Sequence, residues 1–278
     1  MRDKANCFLH RLRHCFSHFP AMSMNAIPQP KTHQIVDRLN ALQAASPRFI
    51  DTSEITPLSR EWNAIRHDID RLMRVDACAA WELTGSWRAL AGDVEGAEAA
   101  FRNSVALGCT GVNRENWMIT RLNLGLFSGA QALFRELADR RASDLATIVR
   151  YGFLAGAIGR TAELIEEARR TGVDLDEAWS ADVLEAHSIM SDANVADEQI
   201  AQRLDCGGVV LRRHGYQAVI ATRVISVEGV WRVVRYRLRV PLPFEPAHAM
   251  NHEVIWEEEK LGRVEPIAFA VFIEGTHA

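Results

Sequence analysis

A pattern of small and aromatic residues recurs in the middle of this chain with a period of 33 residues, and no other feature restricts its fold as strongly. Gly92, Ala97 and Phe101 return as Gly125, Ala130 and Phe134. A weaker third copy is placed by Gly159, 34 residues after Gly125. Two helices joined by a small-residue turn occupy such a period, so the pattern predicts stacked helical hairpins. The reason is packing. Alanine at 97 and 130 lets two helix backbones approach, and the aromatic four residues on fills the groove toward the next pair.

Composition bounds what surrounds this array. At 278 residues the chain is long for one domain, so two domains or an array plus a cap are expected. Apolar residues at 48% and charged residues at 24% are ordinary for a soluble globular chain and exclude a collagen, a disordered tail or a disulfide-dense miniprotein. The net charge of -4 argues against a generally basic nucleic-acid coat but leaves a local basic patch open. Five cysteines, an odd number spread from Cys7 to Cys206, point to reduced thiols and a cytoplasmic setting. No run approaches the roughly 18 apolar residues of a membrane span. Arginine outnumbers lysine 29 to 3, a usage that tracks GC-rich bacterial genomes.

The first 33 residues read as a flexible segment and linker. Arg2, Lys4, Arg11 and Arg13 lack the continuous apolar run of a secretory signal, and Met22 and Met24 offer later translation starts. Cys7-x2-His10 and Cys15-x2-His18 are zinc-type ligands. Four residues between the pairs make too short a loop to wrap a tetrahedral ion, so no metal is expected. Two prolines mark the linker at 26–33. A helical domain then spans 34–192. Its first helix runs from Gln34 (Ile35, Leu39, Leu42) to Ser46-Pro47. Its second runs from Ser59, taken as N-cap, to Arg74 (Trp62, Ile65, Ile69, Leu72). A last helix at 175–190 ends at the turn residues Ser191–Asn194.

Trp81, Gly85, Gly92, Asp93, Ala97 and Phe101 stand in the order and spacing of the tetratricopeptide repeat, and residues 75–172 resemble that family. The second copy has Trp117 three residues off the aromatic position, and the third keeps little beyond Gly159 and the helix TAELIEEARR. The resemblance implies a right-handed superhelix whose first helices line a concave groove for a peptide or protein segment. It places Glu82, Ser86 and Leu90, then Glu115, Ile119 and Asn123, on that groove. The family's carboxylate clamp uses basic and Asn side chains, and Glu82 and Ser86 depart from it, which implies a mixed or acidic groove. The alternative is a generic α-helical bundle in which the Ala–Phe pairs are core and these residues a solvated face.

From 193 to 278 the composition changes to that of an α+β domain: a small antiparallel sheet packed on one or two helices. DEQIAQRL predicts a short helix, Gly207-Gly208 a break or a close-packing point, and Gly215 a C-cap. Strands are expected at 218–227 and 230–240 around Glu228-Gly229, a hairpin signal. The prolines of 241–246 exclude central strand. A second strand pair is expected at 252–259 and 264–275, turned by Lys260-Leu261-Gly262. The stretch Ile267–Ile273 is apolar on both faces, as in a strand that is interior or covered by a helix.

Three features of this domain bear on chemistry. Arg235, Arg237 and Arg239 alternate along one strand and share a face, suited either to phosphate or to cross-strand pairing with Glu253, Glu257 or Glu259. The segment 197–215 resembles a helix-turn-helix through Ile200, Ala201, Leu204 and Leu211, with Arg212 and Arg213 near the end of its second helix. Gly207-Gly208 at the start of that helix argues against it. His248 and His252 would chelate a metal on a helix, but Pro246 and the strand pattern put them on a strand, about 13 Å apart. No phosphate loop, nucleophile elbow or paired metal motif is present. The expected function is a non-catalytic adaptor without cofactor, binding a protein segment in the groove. The alternatives are a nucleic-acid-binding regulator using Arg212, Arg213, Arg235, Arg237 and Arg239, and a small-molecule site under the sheet.

Overall fold

A computed structural model of the chain describes residues 30–108, 111–140, 145–227, 231–262 and 268–276. The expectations for the Cys/His pairs before residue 20, for the two later methionines and for the Glu228-Gly229 turn lie outside these residues. The elements run α1 Pro30–Ala45, α2 Pro57–Leu72, α3 Ala77–Ala89, α4 Val94–Ala106, α5 Gly111–Asn123, α6 Phe127–Arg140, α7 Leu145–Leu154, α8 Ile158–Thr171, α9 Glu177–Asp192 and α10 Asp197–Arg213. Then come β1 Val219–Val227, β2 Trp231–Val240, α11 Phe244–Glu259 and β3 Phe269–Gly275. The α+β expectation holds. The chain divides into two compact units, residues 1–120 and 121–278, and the division falls inside α5 rather than at the change of composition near residue 193.

In the first unit the stripe Ile35, Leu39 and Leu42 of α1 meets Ile65, Ile69 and Leu72 of α2 and Leu83 and Trp87 of α3 in one buried cluster. Two indoles tie α2 to α3. Trp62 and Trp87 stack with centroids 3.9 Å apart, and each Nε1–H donates to the other's backbone carbonyl, at 2.9 and 2.8 Å. Apolar overlap and both indole hydrogen bonds are thus satisfied together. The start of α2 differs from expectation by one turn. Thr56 is the N-cap and Ser59 sits at the third helical position, closing a reciprocal capping box, while Pro57 takes the first position, where its missing N–H is harmless.

The repeat is real in the backbone, with a corrected third member. Gly92, Gly125 and Gly156 all adopt left-handed φ, at 73°, 64° and 79°. Each ends a helix in the same way: the N–H of Asp93, Leu126 and Ala157 donates to the carbonyl five residues back. The third copy is therefore set by Gly156, 31 residues after Gly125, and Gly159 lies inside the first turn of α8. In this register Ala97, Ala130 and Thr161 align, as do Phe101, Phe134 and Ile165, and all six are buried.

The elements after the array are built onto its turns. Helix α10 passes unbroken through Gly207 and Gly208, so of the two readings of this dipeptide the close-packing point holds and the break falls, and the helix-turn-helix falls with it. These glycines exist for contact. A Cβ on Gly208 would fall 1.9 Å from the carbonyl oxygen of Gly125, whereas one on Gly207 would meet only the tip of Leu238. Asp205 of α10 accepts the N–H groups of Phe127 and Ser128 at the start of α6, and Asp197 accepts those of Gly159 and Arg160 at the start of α8. Arg212 donates to the carbonyls of Leu124 and Gly125. These bonds tie α10 to the starts of α6 and α8 and to the turn before α6.

The sheet has the order β1-β2-β3 and is mixed, not antiparallel throughout. β1 and β2 pair antiparallel, while β3 lies parallel to β2. A parallel neighbour needs a crossover, and α11 provides it. Residues 252–259, expected as a strand, are the second half of this helix. Pro246 is compatible because it sits in the first turn, where its nitrogen has no helical acceptor to serve. Helix α11 covers β3 through Asn251, whose side chain donates to the carbonyl of Ile273 and accepts its N–H. On the inner face, Val234, Tyr236, Leu238 and Val240 are buried, and the Tyr236 hydroxyl donates to the Phe153 carbonyl on α7.

Gly208→Ala should destabilise the protein by about 3 kcal/mol or more, because backbone rather than a side chain must yield. Gly207→Ala should be mild, since a gain of about 1 kcal/mol in helix propensity offsets a shift of Leu238. Paired denaturant titrations distinguish them, and equal losses would refute the close contact as the reason for Gly208.

Candidate functional site

The groove residues implied by the tetratricopeptide resemblance do not form one open surface. Glu82 is 5% exposed, and its carboxylate accepts the side-chain N–H of Asn116. Glu115 is 9% exposed. Leu90 belongs to the α1–α3 core, and its carbonyl accepts the Ile50 N–H. Ser86 is half-buried and directs its hydroxyl to the Glu82 carbonyl. Ile119 and Asn123 are half-buried, and the Asn123 carbonyl accepts the Ala218 N–H ahead of β1. The correction comes from helix geometry. Glu82 sits one residue from Leu83 of the core, and Asn116 closes it off. Removal from water pushes the Glu82 carboxyl up to about 7, against the pull of the Asn116 hydrogen bond, and the charge of Asp76 adds to the rise.

Arg212 and Arg213 are also committed. Arg212 is tied to the α5–α6 turn through the Leu124 and Gly125 carbonyls. Arg213 makes ion pairs with Glu253 at 2.6 Å and Glu257 at 2.7 Å, and Glu253 accepts a further contact from His214. His214 and Arg213 hold the Glu253 carboxyl below the usual range, and Lys260 and Arg213 do the same for Glu257. The expected pairing of the β2 arginines with Glu253, Glu257 or Glu259 is therefore absent; Glu253 and Glu257 lie on α11 and face α10.

Arg235, Arg237 and Arg239 do share one face of β2, and the register adds a fourth arginine. Arg223 of β1 stands directly opposite Arg235. On β3 the same face presents Ala270, Phe272 and Glu274, in register with Arg235, Arg237 and Arg239. Glu274 receives Arg237 at 3.2 Å and Arg239 at 3.5 Å. The shielded Nε of Arg237 makes no hydrogen bond, and that of Arg239 meets Glu274 only as this 3.5 Å ion pair, without a hydrogen bond. Arg235 lies 5.4 Å over the ring of Trp231 on the same face. Among the described residues, neither Arg223 nor Arg235 has a carboxylate partner. Four guanidiniums thus face one carboxylate. The alternation along β2 made three of them legible; Arg223 and Glu274 needed the strand register.

A second exposed feature runs along α11. Phe244, His248, His252 and Trp256 fall four residues apart on one row, with Ile255 beside them. Phe244 is 73% and Trp256 63% exposed. A cleft of about 310 Å³ between α8, α9 and α10 is less promising. Its cations are already matched, Arg135 by Glu198 and Arg160 by Glu163 and Asp139.

The cysteines depart in part from expectation. Cys206 is free and buried, and burial pushes its thiol up to about 11, which leaves it unreactive. Cys78 is disulfide-bonded rather than reduced. No helix among the described residues is long and apolar enough to cross a membrane, and they contain no cluster of three or more metal-ligating side chains.

Family models, curated proteins and solved structures were all compared with this chain, and none matches it. Glu82 nevertheless gives a measurable signature. Its folded-state pKa lies above the unfolded value near 4.5, so the folded form keeps a proton that the unfolded chain releases. The contribution of Glu82 to stability is full below pH 4.5 and is lost as pH rises through about 7. Glu82→Gln should flatten that decline and stabilise the protein by about 3 kcal/mol at pH 8. Urea titrations across pH read this directly, and an unchanged profile in the variant would show that Glu82 ionises without penalty.

Proposed function

We propose that the protein is a non-catalytic binding protein whose C-terminal sheet receives a phosphate-bearing polyanion, a nucleic-acid strand, on its arginine face. The observation that carries this reading is the opposition of Arg223 and Arg235 without a carboxylate between them. Like charges directly across a strand pair are destabilising, and an anionic ligand removes the cost. Guanidinium forks match phosphate oxygens. Arg235 and Arg239 are four residues apart, about 14 Å along the strand. One small anion cannot reach both, but a chain of phosphates can. Trp231, 39% exposed on the same face, offers a ring for base stacking. The helical hairpins of the second unit, whose shared register supports the tetratricopeptide-like reading, serve as the scaffold to which this sheet is fixed.

Anisotropy with a labelled single-stranded oligonucleotide tests the proposal. Three uncompensated charges predict that log K falls with log salt at a slope of about −2. Arg235→Ala with Arg223→Ala should abolish binding at low salt while leaving Glu274 its two partners. Binding that survives both substitutions, or that ignores salt, would remove the arginine face as the site.

An adaptor for another protein is a second reading, now favoured by the exposed row on α11 rather than by the groove. Phe244 and Trp256 cover little in the folded chain, so Phe244→Ala with Trp256→Ala should leave the melting temperature within about 2 °C, as surface changes do. Loss of a cross-linked partner in that variant supports the reading; undiminished cross-linking contradicts it.

A further inference from the structure

We infer that His248 and His252 form a two-histidine chelate for a borderline divalent transition metal, of the zinc, copper(II) or nickel(II) class, on the exposed face of α11. On a strand the two rings would be too far apart to share an ion. The helix, continuous from Phe244 to Glu259, brings them onto one face, one turn apart. Their ring centroids lie 5.1 Å apart with planes inclined at 73°. A metal–nitrogen bond of about 2.0–2.1 Å, extended by the roughly 1.1 Å from ring nitrogen to centroid, puts each centroid about 3.2 Å from the ion. At a tetrahedral angle two such centroids stand about 5.2 Å apart. The separation of the two rings in the protein is therefore one that a shared ion can span.

Nothing within the described residues competes for these rings. Both histidines are exposed, and neither makes a hydrogen bond or ion pair. Of the carboxylates on α11, Glu253 is engaged by Arg213 and His214 and Glu257 by Arg213 and Lys260, while Glu245, three residues before His248, is exposed and pairs with neither ring. Phe244 stacks on His248 at 5.5 Å with planes 9° apart, which restrains that ring without occupying its nitrogens. Imidazole suits zinc, copper and nickel, whereas magnesium and calcium require oxygen donors. With two protein ligands, the remaining coordination positions are taken by water. Such a site is an open one, in contrast to the closed four-ligand sites that stabilise small folds.

The test is isothermal titration of the full chain with copper(II), then zinc, in a non-chelating buffer. The wild type should show a binding step that disappears in His248→Ala/His252→Ala. Each single variant should weaken that step at least tenfold, because one imidazole cannot chelate. His252→Gln keeps a polar side chain of similar reach and should fail equally. Because both rings are exposed, the variants should melt with the wild type, which separates lost ligands from lost fold. His214→Ala serves as the control and should leave the step in place. An unchanged number and strength of steps in the double variant would overturn the assignment and move the metal to other histidines or cysteines. A step lost equally in His214→Ala would also overturn it, by showing that the shape of α11 rather than its imidazoles was being read.

Discussion

The second half of this protein depends on one arrangement: α10 supplies carboxylates to the starts of two helices that cannot cap themselves. In the first hairpin Asp93 comes directly after the turn glycine and accepts the Gly96 N–H at 2.8 Å, so α4 carries its own cap. In the next two hairpins that position is Leu126 or Ala157, with no oxygen to offer. Asp205 and Asp197, eight residues apart and so nearly on one face of α10, fill the two vacant caps. Each capping bond of this kind contributes about 1 kcal/mol, and the helix dipole favours the negative charge. Burial pushes both carboxyls up while the N–H groups pull them down. The turns and α10 are therefore mutually dependent.

That arrangement determines the rest of the unit. Gly208 is needed because α10 must approach the Gly125 turn at backbone distance for Asp205 to reach α6. Gly207, the preceding position, stands against the tip of Leu238 on the inner side of the sheet, where a side chain rather than backbone would have to yield to a methyl group. One dipeptide thus serves two contacts on different sides of a helix, which explains why a sequence that looks like a helix break is a helix interior. The sheet, seated by Leu238 and Tyr236, then has one buried face and one outward face. Helix α11 closes the β3 edge through Asn251 rather than through apolar contact alone. Both hydrogen-bonding groups of Ile273 that would otherwise be open to a further strand are satisfied by that one side chain.

The sequence could be read where one periodicity dominated. The hairpins of the array showed themselves through Gly92 and Gly125, and β1 and β2 through β-branched runs on either side of Glu228-Gly229. The third hairpin was misplaced by three residues because Gly159 is a glycine in a helix, while the position that matters, Gly156, precedes Ala157 and Thr161 instead of the Asp and Ala of the best copy. Residues 252–259 were misread because Val254 and Trp256 alternate with acids as in a strand. What decides for helix is not local: a parallel β3 requires a crossover, and Glu253 and Glu257 find Arg213 only at helical spacing. Glu82 and Glu115 could not be recognised as buried, because charged residues are rarely buried and their enclosure depends on neighbours far along the chain.

Charge matching elsewhere in the second unit sharpens the meaning of the arginine face. Arg203 lies against Glu258 and the Phe269 carbonyl, Arg212 against two turn carbonyls, Arg213 against two glutamates, and Arg232 against Asp192 and Ser188. These guanidiniums around the C-terminal elements are each provided with acceptors; those along the outward side of the sheet share a single carboxylate among four. There the register sets Arg223 against Arg235 and gives Arg237 and Arg239 a single shared carboxylate. A chain that satisfies its arginines around the sheet and leaves them opposed at one face breaks its own rule locally, and such breaks concentrate where a chain binds something. The same argument does not extend to the cleft between α8, α9 and α10, whose arginines are matched. Unsatisfied positive charge, rather than concavity, is what sets the arginine face apart in this unit, and the proposed binding surface rests on it.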